Sequence, residues 1–95
     1  MAAYVIVQVE VTDPDRFGNY LKETPRVMER FGGRYLARGG ETVTLEGDGR
    51  PGRVVIIEFP SLKDAEAWYG SEDYRRIKGL REGAATGTIV AVEGC

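Results

Sequence analysis

The sequence predicts an α+β domain in which helices cover one face of a four-stranded antiparallel sheet. Segments of strand and helical character follow one another in the order strand, helix, strand, strand, helix, strand. Apolar residues alternate in the first strand segment and recur every three to four residues in the helical segments. With right-handed crossovers, this order gives the split βαβ, ferredoxin-like topology. The whole chain, residues 1–95, is expected to form this one domain.

The first strand is expected at residues 4–11, where Val5, Val7, Val9 and Val11 share one face. A spacing of two is typical of a strand that packs one face on a core. The opposite face is apolar at its start and polar at its end.

The first helix is expected to begin with Asp13 as N-cap and Pro14 as the first helical residue. A single apolar stripe then runs over residues 17–31 at helical spacing. Pro25 falls inside the stripe without changing its phase, which predicts one kinked helix rather than two. The glycines at 32–33 are expected to end it.

The second strand is expected at residues 34–38, with a bulge or bend at the glycines 39–40. It is expected to continue over residues 41–46 and to return through a turn-rich loop as an antiparallel hairpin. The returning strand, residues 53–59, has five apolar residues in seven, which predicts burial on both faces. Glu58 does not fit this burial, because a buried carboxylate needs a charged or hydrogen-bonding partner or a pocket that contains water.

Ser61 and Asp64 form the S-x-x-D pattern of a capping box, which predicts the start of a second helix. Gly70 is expected to end this helix, and Ser71 to cap a further one. The last strand is expected at residues 88–93 after a loose connection. The inward-facing helical positions are expected to be Leu62, Ala65, Trp68, Tyr69, Tyr74, Ile77 and Leu80.

The helices can cover only one sheet face, so the other face needs its own partner. This second face is expected to carry Tyr4, Ile6, Gln8, Val54, Ile56 and Glu58, of which four are large and apolar or aromatic. An exposed patch of this kind usually marks an interface. An RNA-binding sheet would need aromatic residues on the central strand, which are missing here. A ligand-sensing regulatory domain is an alternative, and pairing of two sheets into a homodimeric barrel is favoured.

Composition excludes several classes of partner and cofactor. The net charge of −2 and pI of about 5.2 give no general attraction to nucleic acid or to an anionic membrane. No apolar run approaches the length of a membrane span, and no signal peptide is visible, which favours the cytoplasm. The chain has no histidine and only one cysteine, Cys95. We therefore expect no haem, no tightly bound transition metal and no other cofactor.

Several short motifs occur together along the chain. They are T-D-P at 12–14, G-G-R-Y-L-A-R-G-G at 32–40, L-E-G at 45–47 and E-F-P-S at 58–61, followed by Ala65, Trp68, Tyr69, Ser71, Tyr74 and Arg81. In these features the chain resembles the domain-of-unknown-function family 1330 (DUF1330) over residues 4–93. The resemblance implies the dimeric α/β-barrel superfamily, whose paired sheets enclose a cavity. That superfamily includes haem-degrading and quinone-forming monooxygenases, lactone isomerases and chlorite-dismutase-like proteins, so the resemblance implies a fold and a dimer rather than a substrate.

The candidate site residues centre on Glu58 and Arg38, which could form a polar pair in the barrel cavity. There Arg38 would bind a ligand's negative charge and Glu58 would accept a proton. The alternative is a structural ion pair between Glu58 and an arginine. Gln8 and Tyr4 are candidate polar residues lining the barrel cavity. Trp68 and Tyr74 are expected first to pack in the core, and as an alternative to stack on an aromatic ligand.

Three functions remain open at this point. The chain could be a cofactor-free enzyme, such as an isomerase or a monooxygenase-like protein. It could instead bind a small anionic or aromatic metabolite without turnover, or be a sensing or assembly module with a filled barrel. A cavity that holds Glu58 and Arg38 would favour the first two.

Overall fold

The computed structural model describes residues 1–95. Its elements follow the predicted order, and a 3-10 turn at Gly79–Arg81 precedes the last strand. The strands and helices are β1 Ala3–Val11, α1 Pro14–Arg30, β2 Arg34–Arg38, β3 Arg53–Phe59, α2 Leu62–Tyr69, α3 Glu72–Lys78 and β4 Ala85–Glu93.

The four strands form one antiparallel sheet in the order β2-β3-β1-β4. The two central strands, β3 and β1, pair from Ala3 with Phe59 to Val9 with Arg53. This order and these directions confirm the predicted ferredoxin-like fold.

Side-chain caps fix where the three helices begin. Asp13 accepts a hydrogen bond from the Arg16 N–H, Ser61 from the Asp64 N–H, and Ser71 from the Tyr74 N–H. These caps satisfy N–H groups that have no partner within the helix. All three predicted helix starts are confirmed, and α1 continues through Pro25 as a single helix.

The hydrophobic core lies between the helices and one sheet face. Every sheet position predicted to face the helices packs in this core or against it. The largest fully buried side chains are Trp68, Tyr74, Phe59, Met28 and Val27. The core therefore combines aromatic side chains of α2 and α3 with aliphatic side chains of α1 and the sheet.

The opposite sheet face has no element over it. The molecule measures 33 × 33 × 17 Å, the shape of a two-layer slab. Val90 and Val92 of β4 lie on this open face, opposite Ile6 and Tyr4 of β1, and are 54% and 48% exposed. None of the helices combines the length and the apolar character that crossing a bilayer would require.

The region after β2 differs from the prediction. Residues 41–46 form no strand and are exposed, because the chain turns away at Gly39, where φ is +67°. The bulge lies at Leu36, not at the glycines 39–40, since Tyr35 pairs with Ile57 while Ala37 pairs with Ile56. The common type of bulge keeps its extra residue near helical geometry and so needs no glycine.

Two smaller expectations are also wrong. The last strand begins at Ala85 rather than residue 88, because it pairs with β1 along the whole length of that strand. Tyr69 and Leu80, expected to face inward, are 39% and 37% exposed; Tyr69 ends α2, and Leu80 lies in the turn after α3.

Candidate functional site

The predicted pairing of Arg38 with Glu58 is wrong, because the bulge at Leu36 moves Arg38 to the helix-covered side of the sheet. Without the extra residue, Arg38 would lie opposite Val54, on the face that also carries Glu58. With the bulge, Arg38 lies opposite Val55, whose side chain is buried in the core. A shift of one residue reverses the face of every following side chain.

Glu58 instead forms an ion pair on the open face with Arg34, its cross-strand partner in β2. The Arg34 Nε donates to Glu58 Oε1 at 2.7 Å, and the two side chains are 70% and 23% exposed. This is the structural alternative considered for Glu58. Gln8 and Tyr4 lie on the same face, Gln8 exposed and Tyr4 half-buried opposite Glu58.

A second group of polar residues surrounds a cavity of about 30 Å³ on the helix side of the sheet, here called the helix-side cavity. Aliphatic residues of β1 and β3 form its floor, and α1 forms one wall. Two arginines and no carboxylate line it. Its polar or aromatic lining comprises Phe17, Tyr20, Thr24, Tyr35, Arg38, Arg53 and Trp68.

Arg38 is held at this cavity by an interruption in α1. Pro25 has no N–H and so leaves the carbonyl of Leu21 without its usual helical donor. Arg38 Nη2 donates to that carbonyl at 3.2 Å, and its guanidinium lies 4.5 Å from the centre of the Tyr35 ring. The proline inside the helix therefore helps to position a guanidinium on the sheet.

Arg53 lies beside Arg38, on the neighbouring strand. A side chain at Gly39 would overlap its guanidinium, so the glycine makes room for it. The Arg53 guanidinium lies 6.0 Å from the Phe17 ring centre, and its buried Nε–H has no hydrogen-bond partner. Neither Arg38 nor Arg53 forms an ion pair with an acidic residue.

Trp68 contributes a second buried donor without a partner, its indole Nε1–H. The side chain is 1% exposed and packs against Phe59 and Tyr74, with ring centres 5.3 and 4.5 Å apart. Trp68 and Tyr74 therefore lie in the core rather than on the open face. An unsatisfied buried donor costs about 1–3 kcal/mol, so each is a place where an acceptor would be stabilised.

Tyr20 links the cavity to Tyr74 in α3. The two hydroxyl oxygens are 2.7 Å apart, and Arg81 Nη2 donates to the Tyr74 hydroxyl at 3.5 Å. Burial, together with the neighbouring Tyr20, raises the pKa of Tyr74 far above the ordinary value for a phenol. Tyr74 is therefore a neutral hydroxyl at physiological pH.

Tyr35 lines the cavity together with both arginines, and the Arg38 guanidinium lies over its ring. Burial raises its pKa above the ordinary value, although Arg38 opposes this effect. The hydroxyl is thus neutral at pH 7 and can donate a hydrogen bond. Together, two arginines, a neutral phenol and aromatic rings line the cavity, which suits a planar anion.

Three of these cavity residues, Tyr20, Tyr35 and Arg53, were missed as site residues in the sequence. Tyr20 and Tyr35 read as ordinary apolar positions of a helix and a strand, and Arg53 as a charge at the start of β3. One signal was available: the parity of β3 places Arg53 on the same face as Val55 and Ile57, so an arginine faces the core.

Known structures share this fold over nearly the whole chain. A protein of unknown function from Rhodopseudomonas palustris is 20% identical with a TM-score of 0.72, covering 99% of this chain and 82% of that one. SnoaB from Streptomyces nogalater, described as a cofactor-independent oxygenase, is 10% identical with a TM-score of 0.68 and coverages of 99% and 93%. A dimeric ferredoxin-like protein of unknown function from Jannaschia sp. CCS1 is 13% identical with a TM-score of 0.72 and coverages of 99% and 100%.

Sequence comparison gives a single family. The family described as "Domain of unknown function (DUF1330)" matches residues 2–95. A search of curated proteins found no match.

Proposed function

This chain belongs to the DUF1330 family, and we propose that it is a homodimer that binds a small planar anion in the helix-side cavity of each protomer. The observation that carries the proposal is the pair of arginines, Arg38 and Arg53, which line one cavity without a carboxylate. Arg53 is half-buried and has no acidic partner. Such a charge is costly, and an anionic ligand offsets that cost.

The aromatic side chains that line the cavity favour a ligand with a planar shape. Tyr35, Phe17 and Tyr20 present rings to the cavity, and an arginine guanidinium already lies over each of the three rings. The present volume of about 30 Å³ is the space of one water molecule, so a ligand must displace a side chain. Arg38 is the side chain able to move, because it is exposed and held by one hydrogen bond of 3.2 Å.

The open face supports the homodimer. The chain exposes 6278 Å², whereas a monomer of 10.5 kDa is expected to expose about 5,400 Å². The surplus is close to the roughly 800 Å² that each partner buries in a standard interface. The Jannaschia protein of the same fold is described as dimeric, which is in keeping with this assignment. We assign Tyr4, Gln8 and the Arg34–Glu58 ion pair to this interface rather than to the ligand site.

A pair of probes that differ in charge tests the ligand proposal. Isothermal titration of the protein with 4-hydroxybenzoate and with the neutral 4-hydroxybenzamide should give about tenfold tighter binding of the carboxylate. Arg38→Met should reduce the affinity for the carboxylate about tenfold or more, because a charge-assisted hydrogen bond is lost. Trp68→Phe, which removes only the unpaired N–H and part of a ring, should weaken both probes.

The matched control is Glu58→Gln, which removes a charge from the opposite face of the sheet. It should leave both affinities within about twofold of wild type, since Glu58 lies outside the cavity. The proposal fails if neither probe binds, if the amide binds as well as the carboxylate, or if Glu58→Gln weakens binding as much as Arg38→Met does. Thermal unfolding of each variant separates a lost site from a lost fold.

A further inference from the structure

Residues 41–46, here called the arm, have the pattern of a strand but no strand to pair with. Val43 and Leu45 alternate with Thr42 and Thr44. In the monomer the two apolar side chains are 75% and 93% exposed, which makes Leu45 the most exposed large apolar residue of the chain. An alternating segment with its apolar side in water is expected to find a partner.

The free edge of β4 offers the complementary features. β4 pairs with β1 only, so one edge of this nine-residue strand has unpaired N–H and C=O groups. Beside it runs an apolar groove of about 370 Å³ between α2 and β4. Its lining includes Val5, Ala65, Trp68, Tyr69, Ile89 and Ala91.

The arm cannot reach this edge within its own chain. It follows β2, and β2 and β4 are the two opposite edges of the sheet. In a face-to-face dimer with a two-fold axis parallel to the strands, however, the β2 edge of one protomer lies against the β4 edge of its partner. An extended arm of six residues would span about 20 Å along that edge.

We propose that the arm of each protomer adds as a strand to the free edge of β4 in its partner. Val43 and Leu45 enter the groove between α2 and β4, while Thr42 and Thr44 lie on the open-face side, at the rim of the dimer interface. The β4 edge of each sheet is then covered, which removes an open edge that favours aggregation. This inference rests on the homodimer proposed above, and it identifies the segment that closes the dimer.

Hydrogen exchange measured by mass spectrometry, with light scattering on the same samples, tests the arm. Amides of residues 41–46, and those amides of β4 that do not bond to β1, should be protected at concentrations where the protein is dimeric, and should lose protection on dilution. The double variant Val43→Asp with Leu45→Asp should remove this protection and weaken the dimer about tenfold or more, because it places charges in an apolar groove.

The control is the double variant Thr42→Asp with Thr44→Asp, which adds the same charges on the other side of the arm. It should change the dimer affinity less than about threefold and leave the arm protected. If the wild-type protein is dimeric while residues 41–46 exchange freely, the arm inference is wrong and the homodimer stands. If the wild-type protein is monomeric throughout, the homodimer is wrong and the arm inference falls with it.

Discussion

The two faces of the sheet carry similar side chains but have different surroundings. Val55, Ile57 and Phe59 of β3 are buried under the helices, whereas Val54 and Ile56, which alternate with them along the strand, are only partly covered. Both sets are aliphatic or aromatic, so hydrophobicity alone does not distinguish them. What differs is that helices of the same chain cover one face, whereas no element of the chain covers the other.

The polar groups are also divided between the faces. On the open face, Glu58 is neutralised by Arg34, so this charge is already satisfied. On the helix side, Arg38 and Arg53 have no acidic partner. The paired charges of Arg34 and Glu58 suit burial against another copy, and the unpaired positive charge on the helix side suits an anion.

Adjacent isoleucines of β3 provide the sharpest comparison, with the largest expected effect. Ile57→Ala should lower the free energy of unfolding by about 2–5 kcal/mol at any protein concentration, because Ile57 is buried within the protomer. Ile56→Ala should cost this much only where the protein is dimeric, and less than about 1 kcal/mol when dilute. Urea denaturation at two protein concentrations measures both.

The comparison is contradicted if Ile56→Ala lowers the free energy of unfolding by the same amount at both protein concentrations. That result would mean that Ile56 is stabilised within its own chain and that the open face has no partner. If the losses of unfolding free energy for Ile56→Ala and Ile57→Ala depend on protein concentration in the same way, the two faces do not differ as argued.

A smaller effect is expected from the buried phenol under the helices. Because burial beside Tyr20 raises the pKa of Tyr74 above the ordinary value of 10.0, the unfolded chain loses this proton first as the pH rises. The stability that Tyr74 contributes is therefore complete below about pH 10 and is lost above it. Tyr74→Phe should make the alkaline fall in unfolding free energy shallower, by up to about 1.4 kcal/mol per pH unit.

Denaturation in urea at several pH values between neutral and alkaline measures this slope. The control is Ile77→Val, a buried substitution in the same helix that removes no titratable group. Ile77→Val should lower the unfolding free energy by the same amount at every pH, so that its dependence on pH is unchanged. An unchanged slope for Tyr74→Phe would contradict the role given to this hydroxyl.

Much of the fold could be predicted from the sequence because its signals are local. The cap residues Asp13, Ser61 and Ser71 fix the helix starts, and the alternation of valines fixes the inner face of β1. β2 and β3 occur at the predicted residues, and the core positions of β3 follow from its parity. These features depend only on a few neighbouring residues and on the spacing of apolar residues along the chain.

The candidate site could not be predicted in the same way, because it depends on one residue of register. The bulge at Leu36 has no sequence marker, and it moves Arg38 across the sheet. The glycine pair at 39–40 is a stronger bulge signal, yet Gly39 instead ends the strand. Likewise, the alternation at residues 41–46 predicts a strand that a single chain has no edge to accept.

The central claim is that the open face is completed by a second copy while the helix-covered face is complete within one chain. The most direct test is the mass of wild type and of Ile56→Asp, measured by light scattering at micromolar concentration. We predict twice the 10.5 kDa of one chain for wild type. Ile56→Asp should give the mass of a single folded chain, because it would bury an unpaired charge in the interface. A wild-type mass of one chain, or an Ile56→Asp variant that stays fully dimeric, would contradict the claim.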